Sequence, residues 1–427
     1  MERSAIVPKQ WQTAKFNEKA AVSTAAHPAR DIAESVALVH DWCPSFRGGE
    51  RVLSELYQTF QPAEIFTLFD FLPAEVKQRY FPNARFHTSA LNALPWIEKY
   101  YRASFFACPF FMEQFDVTHF DAVISSSAAF ARGIITRPDQ PHVCYVHSPV
   151  RYAWDEQFNY LEQGNLGYGP KGLAFRYFMH RLRNWDVRTA HSPDVMVANS
   201  NFVRARIKRV YGRDALVVFP PVDLEEMAFT TEKDDYYVTA SFLAPYKRTD
   251  LVVKAFRSMP NRRLVVVGEG QQSSALRDLA GPNIEFTGFL ERSEYIRTVA
   301  NARALVFAGC EDFGIALGEA QACGTPVIAF GRGGARDIVS SLGQSRNPTG
   351  FLFSRQTAES IVDAIEAFEC NASAILPDAC RENAGRFSAD EFRRRMVRAL
   401  ELARDIIEHP TANRQLLALH QQDRLSD

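Results

Sequence analysis

Short β-branched runs alternate with amphipathic stretches along most of this chain, the pattern of strands separated by crossover helices in a parallel sheet. The first run, Val36-Ala-Leu-Val-His40, is apolar almost throughout, which predicts a strand covered on both faces. Glu64–Leu68, Asp121–Ser125, His142–Val146, Val195–Ala198 and Ala215–Val218 read as further strands. The series breaks at Pro220-Pro221, and the charged Glu232-Lys-Asp-Asp235 reads as a turn. It starts afresh with Tyr237–Ala240, a helix from about Arg248 to Ser258, and strands at Leu264–Val267, Ile284–Thr287, Ala304–Phe307 and Pro326–Ala329. From Ser388 to about Ile407 the spacing predicts a charged amphipathic helix.

A chain of 427 residues exceeds what one core comfortably organises. The pattern divides it into an extension at 1–34, a Rossmann-like α/β domain at 35–222, a second at 223–385, and a helix and tail at 386–427. Open α/β sheets take ligands beyond the carboxyl ends of their strands. Two such sheets facing one another form a cleft suited to two substrates.

Composition adds little until it is read locally. The net charge is −1, but Lys171 to Arg213 holds ten Lys or Arg residues against Asp186 and Asp194. No nucleic-acid recognition motif accompanies that basic stretch. Within 171–188 the cations interleave with Phe175, Tyr177, Phe178, Leu182 and Trp185. Such a segment suits either an anionic membrane surface or a core-facing helix with a solvated basic side. Seven scattered cysteines without a Cys-x-x-Cys pair suggest neither a zinc site nor a disulfide framework, and imply a reducing, cytosolic compartment. The first 30 residues lack the apolar stretch of a signal peptide, and no apolar run is long enough to span a bilayer. The expectation is a cytoplasmic protein, peripheral on the membrane if it touches one.

Candidate chemistry gathers at predicted strand ends. After Ala304–Phe307 comes Glu311-Asp-Phe-Gly-Ile-Ala-Leu-Gly-Glu319, continuing to Gly334. Gly314 marks the turn into a helix whose free amides and dipole would favour an anion. With Glu319 a turn inside that helix, the two carboxylates stand on the order of 10 Å apart. That suits two ends of one ligand and is too wide for a retaining glycosidase pair. After Tyr237–Ala240 comes Ser241-Phe-Leu-Ala-Pro-Tyr-Lys-Arg-Thr-Asp250, where a cation could meet a departing diphosphate. Gly268-Glu269-Gly270 ends the next strand and allows close backbone approach, to a ligand or in a plain turn. Gly331, Gly333 and Gly334 are open to the same two readings. In the first half, His40-Asp-Trp-Cys-Pro-Ser-Phe-Arg-Gly48-Gly49-Glu50 joins a strand to a helix without a dinucleotide fingerprint. Tyr145-Val-His-Ser-Pro-Val-Arg-Tyr-Ala-Trp-Asp155 follows the His142–Val146 run. Asn199-Ser200 fits a helix cap.

The Glu-x7-Glu element, with Glu-Ala-x-Ala-x-Gly-Thr-Pro-Val running on from its second glutamate, resembles the donor site of family 4 glycosyltransferases. That resemblance covers most of 36–370 and implies the GT-B fold, two doubly wound domains about a cleft, with retention of anomeric configuration and no metal or other cofactor. It implies that Glu319 holds the donor ribose and Glu311 lies near the transferred sugar. Phe313, Gly314 and Ile315 would present backbone to phosphate or sugar, with Gly48, Gly49, Gly268 and Glu269 also lining the donor site. Lys247 matches the family's phosphate lysine. Phe242 stands where many members have an arginine; Arg248 is either its substitute or a solvated first-turn residue. The His147 window is similar to a branch rich in polysaccharide mannosyltransferases. By that likeness His147 contacts the sugar, and Arg151, Tyr152, Trp154 and Asp155 lie near the acceptor. The donor it implies is GDP-mannose, with another nucleotide-hexose as alternative, and the acceptor a polyprenyl-diphosphate-linked or other glycan. A catalytically silent subunit that keeps the fold is the main rival; a phosphorylase or an epimerase of similar architecture is less well matched.

Overall fold

The computed structural model describes residues 35–164 and 166–409, so the expectations for 1–34 and for the tail after 409 lie outside the described residues. The first sheet holds β1 (Val36–His40), β2 (Glu64–Thr67), β3 (Arg85–Thr88), β4 (Ala122–Ser127), β5 (His142–Val146), β6 (Val195–Ala198) and β7 (Leu216–Val217). All its pairings are parallel, in the order β3-β2-β1-β4-β5-β6-β7. The second holds β8 (Tyr237–Ala240), β9 (Leu264–Val267), β10 (Ile284–Gly288), β11 (Ala304–Phe307), β12 (Val327–Phe330) and β13 (Gly350–Phe353), also parallel, in the order β10-β9-β8-β11-β12-β13. Each order reverses once, between β1 and β4 and between β8 and β11, and such switch points open the crevices where α/β sheets bind ligands.

The alternation of strand side chains explains why each sheet has core packed on both faces. Val36 and Leu38 of β1 enter one cluster, Ala37 and Val39 the other. In the second sheet Val265 and Val267 face one cluster, Leu264 and Val266 the opposite one. β3 and β13, which the apolar pattern did not predict, complete the sheets at their edges.

Two further departures concern helices. The C-terminal helix, Ala389–Glu408, does not stand apart: Phe392, Met396, Leu400 and Ala403 pack in the core of the first sheet with Leu38 and Tyr145. The basic helix, Pro170–Thr189, buries Met179 and Leu182 in the other first-sheet cluster, with Phe175, Phe178 and Trp185 packed against it. Most of the side chains expected to meet lipid therefore face protein, and Tyr177 alone of them is exposed. The chain passes between domains twice, and the passages touch: the Val222 amide donates to the Phe387 carbonyl at 2.7 Å, and Val222 already packs in a second-domain core.

Candidate active site

Two helices, one from each domain, begin side by side. Gly48–Phe60 follows the loop after β1, and Ile315–Ala322 follows the loop after β11. A Cβ on Gly48 would lie 3.3 Å from Ile315 Cδ1, and one turn further on Arg51 Nη1 lies 3.0 Å from Glu319 Oε1. The positive dipole ends of both helices lie here, which favours an anion, with the Glu50 carboxyl already capping the first. Gly49 sits beside the His40 ring. At the first of these starts, Glu50 Oε2 accepts the Arg47 amide at 3.0 Å. Burial pushes the Glu50 carboxyl up to about 7, outweighing the amides of Glu50 and Arg47 and the Arg47 charge.

Lys247 and Glu311 meet just beyond the ends of β8 and β11. Nζ lies 2.6 Å from Oε1, and both side chains are largely covered. The ammonium also sits 5.9 Å from the centre of the Phe307 ring. The Glu311 loop is held from behind by backbone: the Gly334 amide donates to the Glu311 carbonyl at 2.9 Å. Gly333 has φ 76°, and a Cβ there would come within 2.2 Å of that same oxygen. These glycines cradle protein. Phe313 turns its ring inward against Phe219 and Phe387, at 5.7 and 5.5 Å between centroids, so only its backbone can face a ligand.

Glu319 is almost completely buried and carries three donors. Arg292 Nη1 reaches Oε1 at 2.8 Å, Arg51 Nη1 the same atom at 3.0 Å, and the Tyr295 hydroxyl donates to Oε2 at 2.7 Å. Burial works to raise its carboxyl, but the Arg292 and Arg51 charges and the Tyr295 hydroxyl prevail and hold it below the usual range. Nothing in the sequence spacing announces Arg292, Tyr295 or Arg51 as its partners.

The remaining donor-side residues divide. Gly268 has φ 122°, and a Cβ on it would meet the Ser241 carbonyl at 2.0 Å. The Leu243 amide donates to the Glu269 carbonyl at 2.9 Å, and the Glu269 side chain lies beside Gly288. The Gly268–Gly270 turn therefore supports the loop that carries Lys247. Arg248 is drawn to Asp250, Nε to Oδ1 at 3.1 Å, and to Gln356 at 3.4 Å. A different cation stands over Phe242: Arg47, from the opposite domain, has its guanidinium 5.4 Å from that ring's centre.

His147 follows β5, with Nε2 2.9 Å from Ser126 Oγ and its carbonyl accepting from Asn199 Nδ2 at 2.9 Å. Ser200 Oγ caps the next helix by accepting the Val203 amide. Burial, aided by the neighbouring His40, pushes the His147 imidazole down to about 4 against the opposing pull of Asp41. The ring is therefore neutral at pH 7. Asp41 itself accepts the amides of Ala128, Ala129, Phe130 and Ala131, which fixes the β4 loop alongside.

The side chains of the loop expected to meet the acceptor are engaged within the protein. Trp154 donates its indole N–H to Asp186 at 2.7 Å, pointing into the domain. Asp186 also accepts the Tyr211 hydroxyl at 3.0 Å and pairs with Arg132, both partners of that ion pair being wholly buried. Tyr152 packs between Phe105 and Tyr160. Arg151 bonds Glu156 at 3.1 Å and faces Asp312 of the other domain at 3.6 Å. Asp155 pairs with Arg206 at 2.5 Å, which also reaches Asp312 at 3.1 Å. These four side chains shape the loop and tie it to the residue next to Glu311. Arg132, Asp186, Arg206 and Asp312 were not foreseen.

Residues 225–387 match the family described as glycosyl transferases group 1, and residues 46–226 the one described as glycosyltransferase family 4. The chain belongs to glycosyltransferase family 4. Over 178 residues it is 31% identical to the GDP-mannose-dependent monoacylated alpha-(1-6)-phosphatidylinositol monomannoside mannosyltransferase of Corynebacterium glutamicum, covering 34% of this chain and 47% of that protein. Over 220 residues it is 30% identical to the D-inositol 3-phosphate glycosyltransferase of Mycobacteroides abscessus, covering 47% and 48%. The chain thus spans about half the length of these curated relatives. The HepE protein of Anabaena, solved with UDP, superposes with a TM-score of 0.62 at 15% identity over 86% of this chain and 99% of that one. Sucrose-phosphate synthase of Thermosynechococcus elongatus gives 0.63 at 17% identity over 85% and 98%. At these identities the likeness establishes the fold of this family 4 chain, which is GT-B.

Proposed function

We propose that this protein transfers a hexose from a nucleotide-sugar donor to a glycan acceptor with retention, and that the donor is GDP-mannose. The observation that carries the reading is the Lys247–Glu311 pair standing where helix starts from both domains converge. A leaving diphosphate gains negative charge as the sugar C1–O bond breaks, and a fixed ammonium with helix amides favours that charge. The acceptor oxygen bonds C1 from the face the diphosphate leaves, and its proton passes to a diphosphate oxygen. No protein base or metal is required in this scheme. Glu311 and the neutral His147 position the sugar; Glu319 takes the ribose hydroxyls once its bonds to Arg51 or Tyr295 loosen. Arg47, over Phe242, supplies the second phosphate cation in place of Arg248.

The relatives' GDP-mannose dependence and phosphatidylinositol-mannoside names favour a mannose donor and a lipid-linked acceptor. Among the described residues no helix is long and apolar enough to cross a membrane, so such an acceptor would be met at the membrane surface. The test is a panel of radiolabelled nucleotide sugars incubated with the protein and a membrane lipid extract. Label from GDP-mannose in the lipid phase is expected. Label only from another donor, such as UDP-glucose, overturns the sugar assignment. Nucleotide binding without turnover of any donor favours the silent subunit, the reading to which Phe242 lends weight.

A further inference from the structure

Apolar exposure on this molecule is lopsided. Of seventeen large hydrophobic side chains exposed among the described residues, twelve lie between Leu94 and Val187, all in the first domain. Their densest group is the short helical segment after β3, where Trp96 is 76% exposed, Tyr100 63%, Phe106 68% and Phe110 60%. We infer that this segment, 94–110, is an aromatic platform that docks the first domain on an anionic lipid surface.

The platform is preformed. Ile97, Cys108 and Met112 alternate with the exposed rings and are buried in a first-sheet core, which fixes the outward side chains. Trp96 takes a left-handed backbone, φ 55°, an uncommon conformation for a bulky residue, and thereby presents its indole to solvent. Rings with a polar edge, Trp96 and Tyr100, suit the headgroup layer, and the Phe rings suit the acyl boundary beneath it. Lys99 and Arg102 are exposed among them, with one acid, Glu98. The neighbouring helix Pro170–Thr189 extends the same chemistry: Leu173, Tyr177 and Val187 are exposed with Lys171 and Arg181, while its one acid, Asp186, is buried against Arg132. The Trp185 indole donates to Glu113 at 2.7 Å, tying that helix to the end of the platform.

Charge selects lipid over a second copy of the chain. With Lys171 and Arg181 of the neighbouring helix, the exposed cations of this face outnumber its exposed acid, Glu98, so a symmetric contact would set like charge against like, whereas anionic headgroups neutralise it. The platform also backs on the cleft: Phe105 stacks on Trp42 of the β1 loop at 5.0 Å and lies 6.1 Å from Tyr152 of the acceptor-side loop. The surface stands without the proposed activity, although a lipid-borne acceptor gives it a purpose.

Flotation of the full chain with phosphatidylcholine vesicles, with and without phosphatidylglycerol, tests this directly. Binding is expected to need the anionic lipid and to fall by about tenfold or more in the Trp96→Ser/Phe106→Ser/Phe110→Ser variant. Leu173→Ser/Tyr177→Ser should reduce it less, with thermal melts checking that both variants fold. Flotation needs no turnover, so it can fail or succeed independently of the donor panel. Absence of binding to either vesicle overturns the inference, as does undiminished binding by a folded platform variant. A self-association in sedimentation that the platform variant abolishes, without vesicle binding, would assign the face to a second copy and likewise end it.

Discussion

The two domains share one kind of sheet and use their charges in opposite ways. The first commits a wholly buried ion pair, Arg132 with Asp186, to holding its cleft loop through Trp154. The second holds its loop by close backbone approach at Gly333 and Gly334, and leaves Lys247 and Glu311 partly open to the cleft. Composition follows the same divide. Residues 223–385 contain no histidine and no tryptophan, while all five tryptophans precede residue 186. A wholly buried ion pair builds shape in the first domain; in the second, Lys247 and Glu311 keep some exposure at the cleft.

If that contrast is right, the largest loss of stability comes from the first domain. Asp186→Ala leaves Arg132 buried without its partner and should destabilise by about 3–5 kcal/mol. Tryptophan fluorescence reads the result, because its signal comes from the first domain and the segment before it. Lys247→Ala should instead lower turnover by about 10²–10³ with the melting midpoint unchanged. A Lys247→Ala protein as unstable as Asp186→Ala would break the comparison.

Acid sharpens it further. His40, His142 and His147 are held by burial at about 4, 3 and 4 respectively. The unfolded chain binds their protons near the ordinary value of about 6.5, so stability is lost progressively as pH falls from there towards 4. Glu50, raised to about 7 by burial, has the opposite sign: its penalty is relieved as pH falls from about 7 to about 4.5. Glu55, Asp194 and Asp312, also raised by burial, share the sign of Glu50. The three histidines are expected to prevail and give a tryptophan-detected melting midpoint lower at pH 5 than at pH 7, and a flat profile would contradict it. The smallest effect belongs to Arg51→Ala. Arg51 is 41% exposed, and Glu319 keeps Arg292 and Tyr295, so the cost should be at most about 1 kcal/mol.

The same contrast explains what the sequence made legible. Eleven strands could be read, nine of them interior to their sheets and largely buried and two, β7 and β10, at the edges. β3 escaped because Arg-Phe-His-Thr at an edge is half exposed and polar at alternate positions, and β13 because Gly350-Phe-Leu-Phe353 is short and begins on a glycine. Lys247, Glu311 and Glu319 could be placed at strand ends because strand, loop and helix follow one another within a few residues, and the structure pairs the first two. Arg51, Arg206, Arg292 and Asp312 were not, since ion pairs formed across a cleft or between helices leave no spacing along the chain. Trp154 and Asp155 lie in the loop after β5, and their side chains turn to Asp186 and Arg206, a choice set by tertiary packing.

The paired passages at Val222 and Phe387 set a rule for recombining such proteins. Residues 223–385 enter and leave through neighbouring points, so an exchanged cassette would have both splices at one spot, and Val222 and Phe387, buried in the second-domain core, would have to travel with it. A simple truncation after 385 is another matter. It would strip Phe392, Met396 and Leu400 from the first domain and leave open the sheet that the cassette is meant to face.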